Sequence, residues 1–363
     1  METKSPTSLR GAHSRVFSEF ARYRFARYRV VLPNGPFAAN FVPLCVFYSG
    51  GMMLQRRVGD LSVTAVGVGC MPLSNGRMVD HREQSLQTIH AALDQGITLL
   101  DTANIYAPSW DAVGHNEALV AEALRTYTGH APLTDVLVTT KGGITRSEGE
   151  QWGRDSSPQA LRRACEDSLR ELDVSCIDLY QHHRHDPAMT YIDQMRALQL
   201  VKDEGLIRRI GLSNVTEAEL DLAIGELGSA SDGGVVSVQN ELSPRYRADL
   251  DVLARCEREG IAFLPWSPLG GATHAKDVGS RFAAFADVAD AVGATPQEVT
   301  LAWLLRMSPV MIPIPGATRP ETITSIVRSM TLELTDEQFA TLQATTPEHT
   351  SMYPEDQPRS PLR

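Results

Sequence analysis

The sequence lacks the cysteine pattern of a disulfide framework or a zinc ribbon. Its five cysteines, Cys45, Cys70, Cys165, Cys176 and Cys256, are odd in number and no two have CxxC spacing. They read as free thiols in a reducing compartment, the cytoplasm. A long apolar run is also missing. The segment "FAANFVPLCVFY" falls short of the roughly 20 residues that a membrane-spanning helix needs. Excess positive charge is absent: the formal net charge is -10, which argues against nucleic-acid or anionic-membrane partners. The dinucleotide fingerprint GxGxxG is absent too, because "GVGCMPLSNG" lacks the motif's third glycine, so a doubly wound nucleotide-binding sheet is disfavoured. No low-complexity tract or interdomain linker divides the 363 residues.

The first 52 residues differ in character from the rest. Seven basic residues (Lys4, Arg10, Arg15, Arg22, Arg24, Arg27 and Arg29) stand against Glu2 and Glu19, a local balance of +5 that leaves -15 to residues 53–363. "SRVFSEFARYRFARYRV" is arginine-rich and acid-poor, as in a transit peptide. The favoured expectation is that the native domain opens at Met52 or Met53, in "MMLQRRVGDLSVTAVG". Residues 1–52 are then a basic extension, either disordered or foreign to the native chain. Residues 53–345 form one domain, and 346–363 a polar, proline-rich tail expected to be loose.

From Leu61 onward one pattern repeats. Short apolar, β-branched runs end at a glycine or a polar residue, and amphipathic helical stretches follow. The eight runs are "SVTAVGVG", "GITLLDTA", "DVLVTTKGG", "CIDLYQHH", "IRRIGLSN", "VVSVQN", "IAFLPWSP" and "VMIPIPG". Each is apolar on both faces, as a parallel strand covered by helices must be. Eight strand–helix units predict a single-domain α/β fold, the (β/α)8 TIM barrel. Ser157 followed by Pro158 predicts a capped helix start.

Such a barrel carries its chemistry at the C-terminal ends of its strands. Asp101 and Tyr106 follow "ITLL", Lys141 follows "VLVTT", and His182 and His183 follow "IDLYQ". Ser213 and Asn214 follow "IRRIGL", Gln239 and Asn240 follow "VVSV", Trp266 follows "IAFLP" and Gly316 follows "MIPIP". Any one of these has a structural explanation, such as a buried Asp–Lys pair. Their shared position at one rim is harder to obtain by chance.

From about Leu54 to Ala344 the chain resembles the aldo-keto reductase family. "DTANIY", "VTTKGG" and "DLYQHHR" carry its catalytic hallmarks, and "IGLSN", "SVQNELSP", "WSPLG" and "IPIPGATRPE" its cofactor segments. The resemblance implies a nicotinamide cofactor, NADPH or else NADH, bound without a Rossmann fold. It implies a catalytic tetrad of Asp101, Tyr106, Lys141 and His183 acting on a small carbonyl or alcohol substrate. The side-chain chemistry agrees. A tyrosine with a pKa near 10 is a weak acid at neutrality, and a neighbouring ammonium favours its phenolate. Lys141 would assist Tyr106 in this way, Asp101 would hold Lys141, and His183 would donate a hydrogen bond to the substrate oxygen.

The resemblance further implies that Ser213, Asn214 and Gln239 hold the nicotinamide amide and that Trp266 stacks on its ring. Ser267, Leu269 and Gly270 would cover the pyrophosphate. Gly316, Ala317, Thr318 and Arg319 would line the adenosine phosphate, with Arg319 facing the 2'-phosphate. Two departures stand out. Ser325 and Ile326 occupy positions where the family often has Glu-Asn near the adenine, and His185 replaces a usual proline. Trp110 is the leading candidate for the substrate wall, ahead of Trp152.

Two other functions are compatible with parts of the pattern. One is a cofactor-sensing, non-catalytic subunit on the same barrel. The other is a metal-dependent hydrolase using His182, His183, His185 and Asp186 of "IDLYQHHRHDP". Adjacent residues on a strand point to opposite sides, so His182 and His183 cannot share a site, and no metal is expected. His182 should pack against the helices. The substrate, the direction of reaction and the oligomeric state are not legible.

Overall fold

Seven of the eight apolar runs become neighbouring parallel strands in the computed structural model, which describes residues 45–48 and 51–353. A three-stranded antiparallel sheet comes first: β1 (Cys45–Tyr48), β2 (Gly51–Val58) and β3 (Leu61–Thr64). Its pairing reaches upstream of residue 53. The basic segment 1–44 lies outside the described residues.

The parallel strands are β4 (Val68–Gly69), β5 (Leu99–Asp101), β6 (Leu137–Gly142), β9 (Leu179–His182), β10 (Ile210–Ser213), β11 (Val235–Gln239) and β12 (Ala262–Phe263). Between β6 and β9 an antiparallel hairpin is inserted, β7 (Ile144–Ser147) with β8 (Gln151–Arg154). The run "SVTAVGVG", expected as one strand, is therefore split. Its first half ends β3 and its last residues form β4.

The eighth run, "VMIPIPG", is extended but too irregular to count as a strand. Pro313 and Pro315 have no N–H to offer a ladder. Their carbonyls still accept from Gly67 N and Gly69 N, at 2.9 and 3.0 Å, and Ile312 N donates to Phe263 O at 2.8 Å. Bridges Phe263–Met311 and Gly69–Gly316 thus join the segment to β12 on one side and β4 on the other. That closes the barrel.

Alternation along the strands sorts side chains into two cores. Leu99, Leu137, Leu179, Val236, Leu264, Ile312 and Ile314 pack inside the barrel, together with Val58 and Val63 of the hairpin that plugs its floor. Leu100, Tyr180, Leu212, Val238 and Phe263 face the other way, into the layer beneath the helices. Each fully buried aliphatic side chain contributes about 1.5–3 kcal/mol. The helices follow the predicted stretches. Ser157 caps the helix Pro158–Leu172 by accepting from Ala160 N, with Pro158 at its first position. No helix among the described residues is long and apolar enough to cross a membrane.

The expectation of a loose tail is corrected over its described part. Ser351 Oγ donates to the buried carboxylate of Glu241 at 2.7 Å, and Met352 N donates to the same group. Tyr353 then lies against Trp266, ring centroids 5.6 Å apart, and under the Arg184 guanidinium. A buried acceptor that needs donors outweighs the local polarity of the segment.

Candidate active site

Asp101 sits two residues beyond the inward-facing Leu99, so the pleat points its carboxylate into the barrel. There it accepts from Lys141 Nζ at 2.9 and 2.8 Å, Gln239 Nε2 at 2.7 Å and Thr139 Oγ1 at 3.0 Å, with Gln181 Nε2 at 3.4 Å. Lys141 is fully buried. Its ammonium also donates to Thr102 O at 2.7 Å and to Tyr106 Oη at 3.4 Å. Three kinds of acceptor for three N–H bonds leave the ammonium no freedom to turn.

The electrostatics follow from burial and from this neighbourhood. Burial alone would lower the Lys141 pKa, but Asp101 and Tyr106 outweigh it and the net shift is upward. Tyr106 is also shifted upward: burial dominates, and the opposing pull of Lys141 is smaller. The expectation that the lysine leaves the phenol a readier acid therefore holds for the sign of its own effect and not for the net. At neutral pH the phenol keeps its proton. His183 is driven well below 6.5 by burial and then by Lys141, so its ring is neutral. That ring stands edge-on to Tyr106, centroids 5.9 Å apart at 82°. Its Nδ1 is buried without a partner among the described residues.

Next to this cluster lies a second one. Ser213 Oγ donates to Gln239 O at 2.9 Å, and Asn214 Nδ2 donates to His183 O at 3.1 Å and to Ser213 Oγ at 2.9 Å. Asn214 adopts φ 59, a left-handed conformation that asparagine tolerates. Its Oδ1 accepts from Trp266 Nε1 at 3.2 Å, which fixes the partly buried indole at the mouth. At Gly211 the neighbouring strands leave no room for a side chain, since a Cβ there would stand 2.3 Å from Ser237 Oγ and 2.8 Å from Gln181 Cγ.

The remaining predicted positions are not hydrogen-bonded to these two clusters. Ser267 has φ 49 and accepts from Gly270 N through its carbonyl, and Leu269 packs on the core. Gly316 pairs with Gly69, and Thr318 O accepts from Gln84 Nε2 at 2.6 Å. Arg319 is exposed and precedes the helix Pro320–Ser329, which has no side-chain cap. No ion pair occupies its guanidinium among the described residues. Ser325 and Ile326, the altered positions, are committed inward: Ser325 Oγ donates to Glu298 and Ile326 is in the core. Trp110 is partly exposed and makes no ring contact with Tyr106; its N–H donates to Glu150.

The crowded stretch "IDLYQHHRHDP" separates as strand alternation requires. His182 turns to the helices, where Ser156 Oγ lies 2.8 Å from Nε2, and burial lowers its pKa to about 4. His185 pairs with Glu219 at 2.7 Å. Asp186 accepts from Ser156 N and Ala188 N, shaping the turn. Thr139 and Gln181 were missed as Asp101 partners. Each stands two residues before an expected site residue, so alternation alone could have found them. Nothing local marks Tyr353 as a neighbour of Trp266.

The chain is similar to known proteins in sequence and in fold. The model of the aldo/keto reductase family matches residues 65–346. An uncharacterised oxidoreductase of Schizosaccharomyces pombe is 34% identical over 293 residues, 79% of this chain and 88% of its own. Pyridoxine 4-dehydrogenase of Escherichia coli is 31% identical over 294 residues, 78% of this chain and 96% of its own. Among solved structures, an aldo/keto reductase from Klebsiella pneumoniae in complex with NADP and acetate superposes with a TM-score of 0.67. It is 25% identical, and the match covers 81% of this chain and 95% of that one.

Proposed function

This chain belongs to the aldo/keto reductase family, and we propose that it is an NAD(P)H-dependent enzyme that reduces an aldehyde or ketone to an alcohol, or runs the reverse oxidation, in the cytoplasm. The observation that carries the reading is the buried Lys141 ammonium, bonded at once to Asp101 and to the hydroxyl of Tyr106. The reduced nicotinamide, when bound, supplies the hydride to the carbonyl carbon. Tyr106 gives its proton to the oxygen that becomes the alcohol. Lys141 stabilises the phenolate left behind, and Asp101 keeps Lys141 charged and in place. Neutral His183 donates a ring N–H to the substrate oxygen and so orients the carbonyl. The phenolate then recovers its proton from solvent.

The residues fit such a cofactor. Ser213, Asn214 and Gln239 offer a hydroxyl and two amides beside a partly buried indole, a donor and acceptor set suited to a carboxamide on an aromatic ring. Arg319 is a cation without an ion pair among the described residues, at an uncapped helix start, which suits a phosphate and favours NADPH over NADH. Ser267, Leu269, Gly316 and Thr318 complete the expected cofactor path. Trp110 stands as the wall of the substrate pocket.

The test is consumption of NADPH and NADH with a panel of aldehydes and ketones. The panel should include pyridoxine with the oxidised cofactors, because one relative carries that substrate in its name. Turnover supports the reading. Cofactor binding without turnover of any substrate would favour a cofactor-sensing subunit.

A further inference from the structure

The loop that carries Tyr106 is gripped from outside by one side chain of the hairpin β7–β8. Arg146 Nη1 donates to Ala107 O at 2.7 Å and to Ile105 O at 3.4 Å, and its Nη2 donates to Pro108 O at 3.4 Å. These carbonyls flank Tyr106 on both sides. No backbone amide among the described residues donates to them, so Arg146 answers their need for a donor. Its Nε is engaged by Glu150 Oε2 at 2.6 Å, and the other oxygen of Glu150 accepts from Trp110 N at 3.0 Å. The Arg146–Glu150 pair therefore holds the loop from residue 105 to residue 110.

The guanidinium is kept in position by its own hairpin. Arg146 faces Trp152 across the two strands, with its carbon 4.8 Å from the indole centroid. Although Trp152 is largely exposed, the Arg146 side chain is only 8% exposed. On the second strand, Arg154 Nη1 donates to His185 O at 3.0 Å, just beyond His183. One hairpin thus touches both chain segments whose side chains converge at the barrel mouth. A planar fork with five donors suits this task, and an ammonium does not.

We infer that Arg146 is a positioning residue for Tyr106. It sets where the hydroxyl stands relative to Lys141 and His183, acting through the backbone carbonyls on either side of Tyr106. The inference rests on the reductase reading for its kinetic consequence and on the structure alone for its mechanical one. Proton donation is sensitive to displacements of about 1 Å, which can cost on the order of a hundredfold in rate.

The experiment compares full-length wild type with Arg146→Ala and Arg146→Lys. In the alanine variant kcat for carbonyl reduction should fall between about tenfold and a hundredfold, while the NADPH Kd stays within about twofold. Lysine should not restore the loss, because one ammonium cannot reproduce the fork that bonds three carbonyls and Glu150 at once. Amide hydrogen exchange should quicken over residues 105–110 in the alanine variant and stay unchanged in β6. The inference is overturned by a kcat within about twofold of wild type, by NADPH affinity lost in step with kcat, or by unchanged loop exchange. If wild type turns over no carbonyl at all, the reductase reading fails, and the exchange data still decide whether Arg146 holds the loop.

Discussion

Gln239 donates its side-chain amide to Asp101 Oδ1 at 2.7 Å, reaching from the end of β11 to the end of β5. A residue assigned by resemblance to the cofactor amide is also a support for the carboxylate that holds Lys141. Gln239→Leu should therefore weaken two functions together. The NADPH Kd should rise, and kcat should fall by about tenfold as Asp101 loses a buried donor worth roughly 1–3 kcal/mol. Fluorescence titration and steady-state kinetics on one preparation check this. A change in Kd with kcat untouched would confine Gln239 to cofactor binding.

The pH dependence follows from the directions of the shifts. His183 lies well below 6.5 and is already neutral through the physiological range. Tyr106 is raised above its usual 10, so its acid form persists into alkaline solution. The rate of reduction should be level across neutrality and fall only as pH rises through the tyrosine. An inflection near 6.5 in the pH profile of kcat would contradict the assignment of a neutral His183.

Glu117 provides a stability prediction away from the chemistry. Burial raises its pKa from the usual 4.5 to about 7, against smaller lowering by Thr140. A pKa raised on folding favours the native state while the group is protonated. That advantage is complete below about pH 4.5 and is lost as pH rises through about 7, with an upper bound of about 3 kcal/mol. Glu117→Gln should leave Tm nearly unchanged at pH 4.5 and raise it at pH 8. Equal effects at the two pH values would show that Glu117 is not protonated in the fold.

Arg319 separates the two cofactors. If it meets a 2'-phosphate, Arg319→Ala removes charge-assisted hydrogen bonds worth about 1.5–3 kcal/mol, or about tenfold to a hundredfold in the NADPH Kd. The NADH Kd should change little. Equal losses for both cofactors would place Arg319 on the phosphates they share.

Much of this molecule is visible in its sequence because barrel geometry couples position to role. A polar residue at the end of an apolar run, an even number of positions beyond an inward leucine, has to enter the barrel mouth, as Asp101 does two residues after Leu99 and Lys141 four residues after Leu137. The same alternation separates His182, turned to the helices, from His183, turned to Tyr106. Other features are hidden for physical reasons. The hairpin β7–β8 has mostly exposed faces, so "ITRSEGEQWGR" shows no apolar period. The eighth run is legible as an extended segment, but its two prolines keep it from forming a regular strand. The contacts of Tyr353 with Trp266, and of Arg146 with the Tyr106 loop, join segments far apart in the chain, and neither leaves a local pattern.

The central claim is that Tyr106 is the proton donor in a nicotinamide-dependent carbonyl reduction. Tyr106→Phe removes one hydroxyl and leaves the ring against His183 and Lys141. The decisive measurement is its single-turnover rate of NADPH oxidation with the best aldehyde of the panel, alongside the NADPH Kd. The account predicts a loss of at least about a hundredfold in rate with a Kd within about twofold of wild type. Full activity in Tyr106→Phe would contradict it.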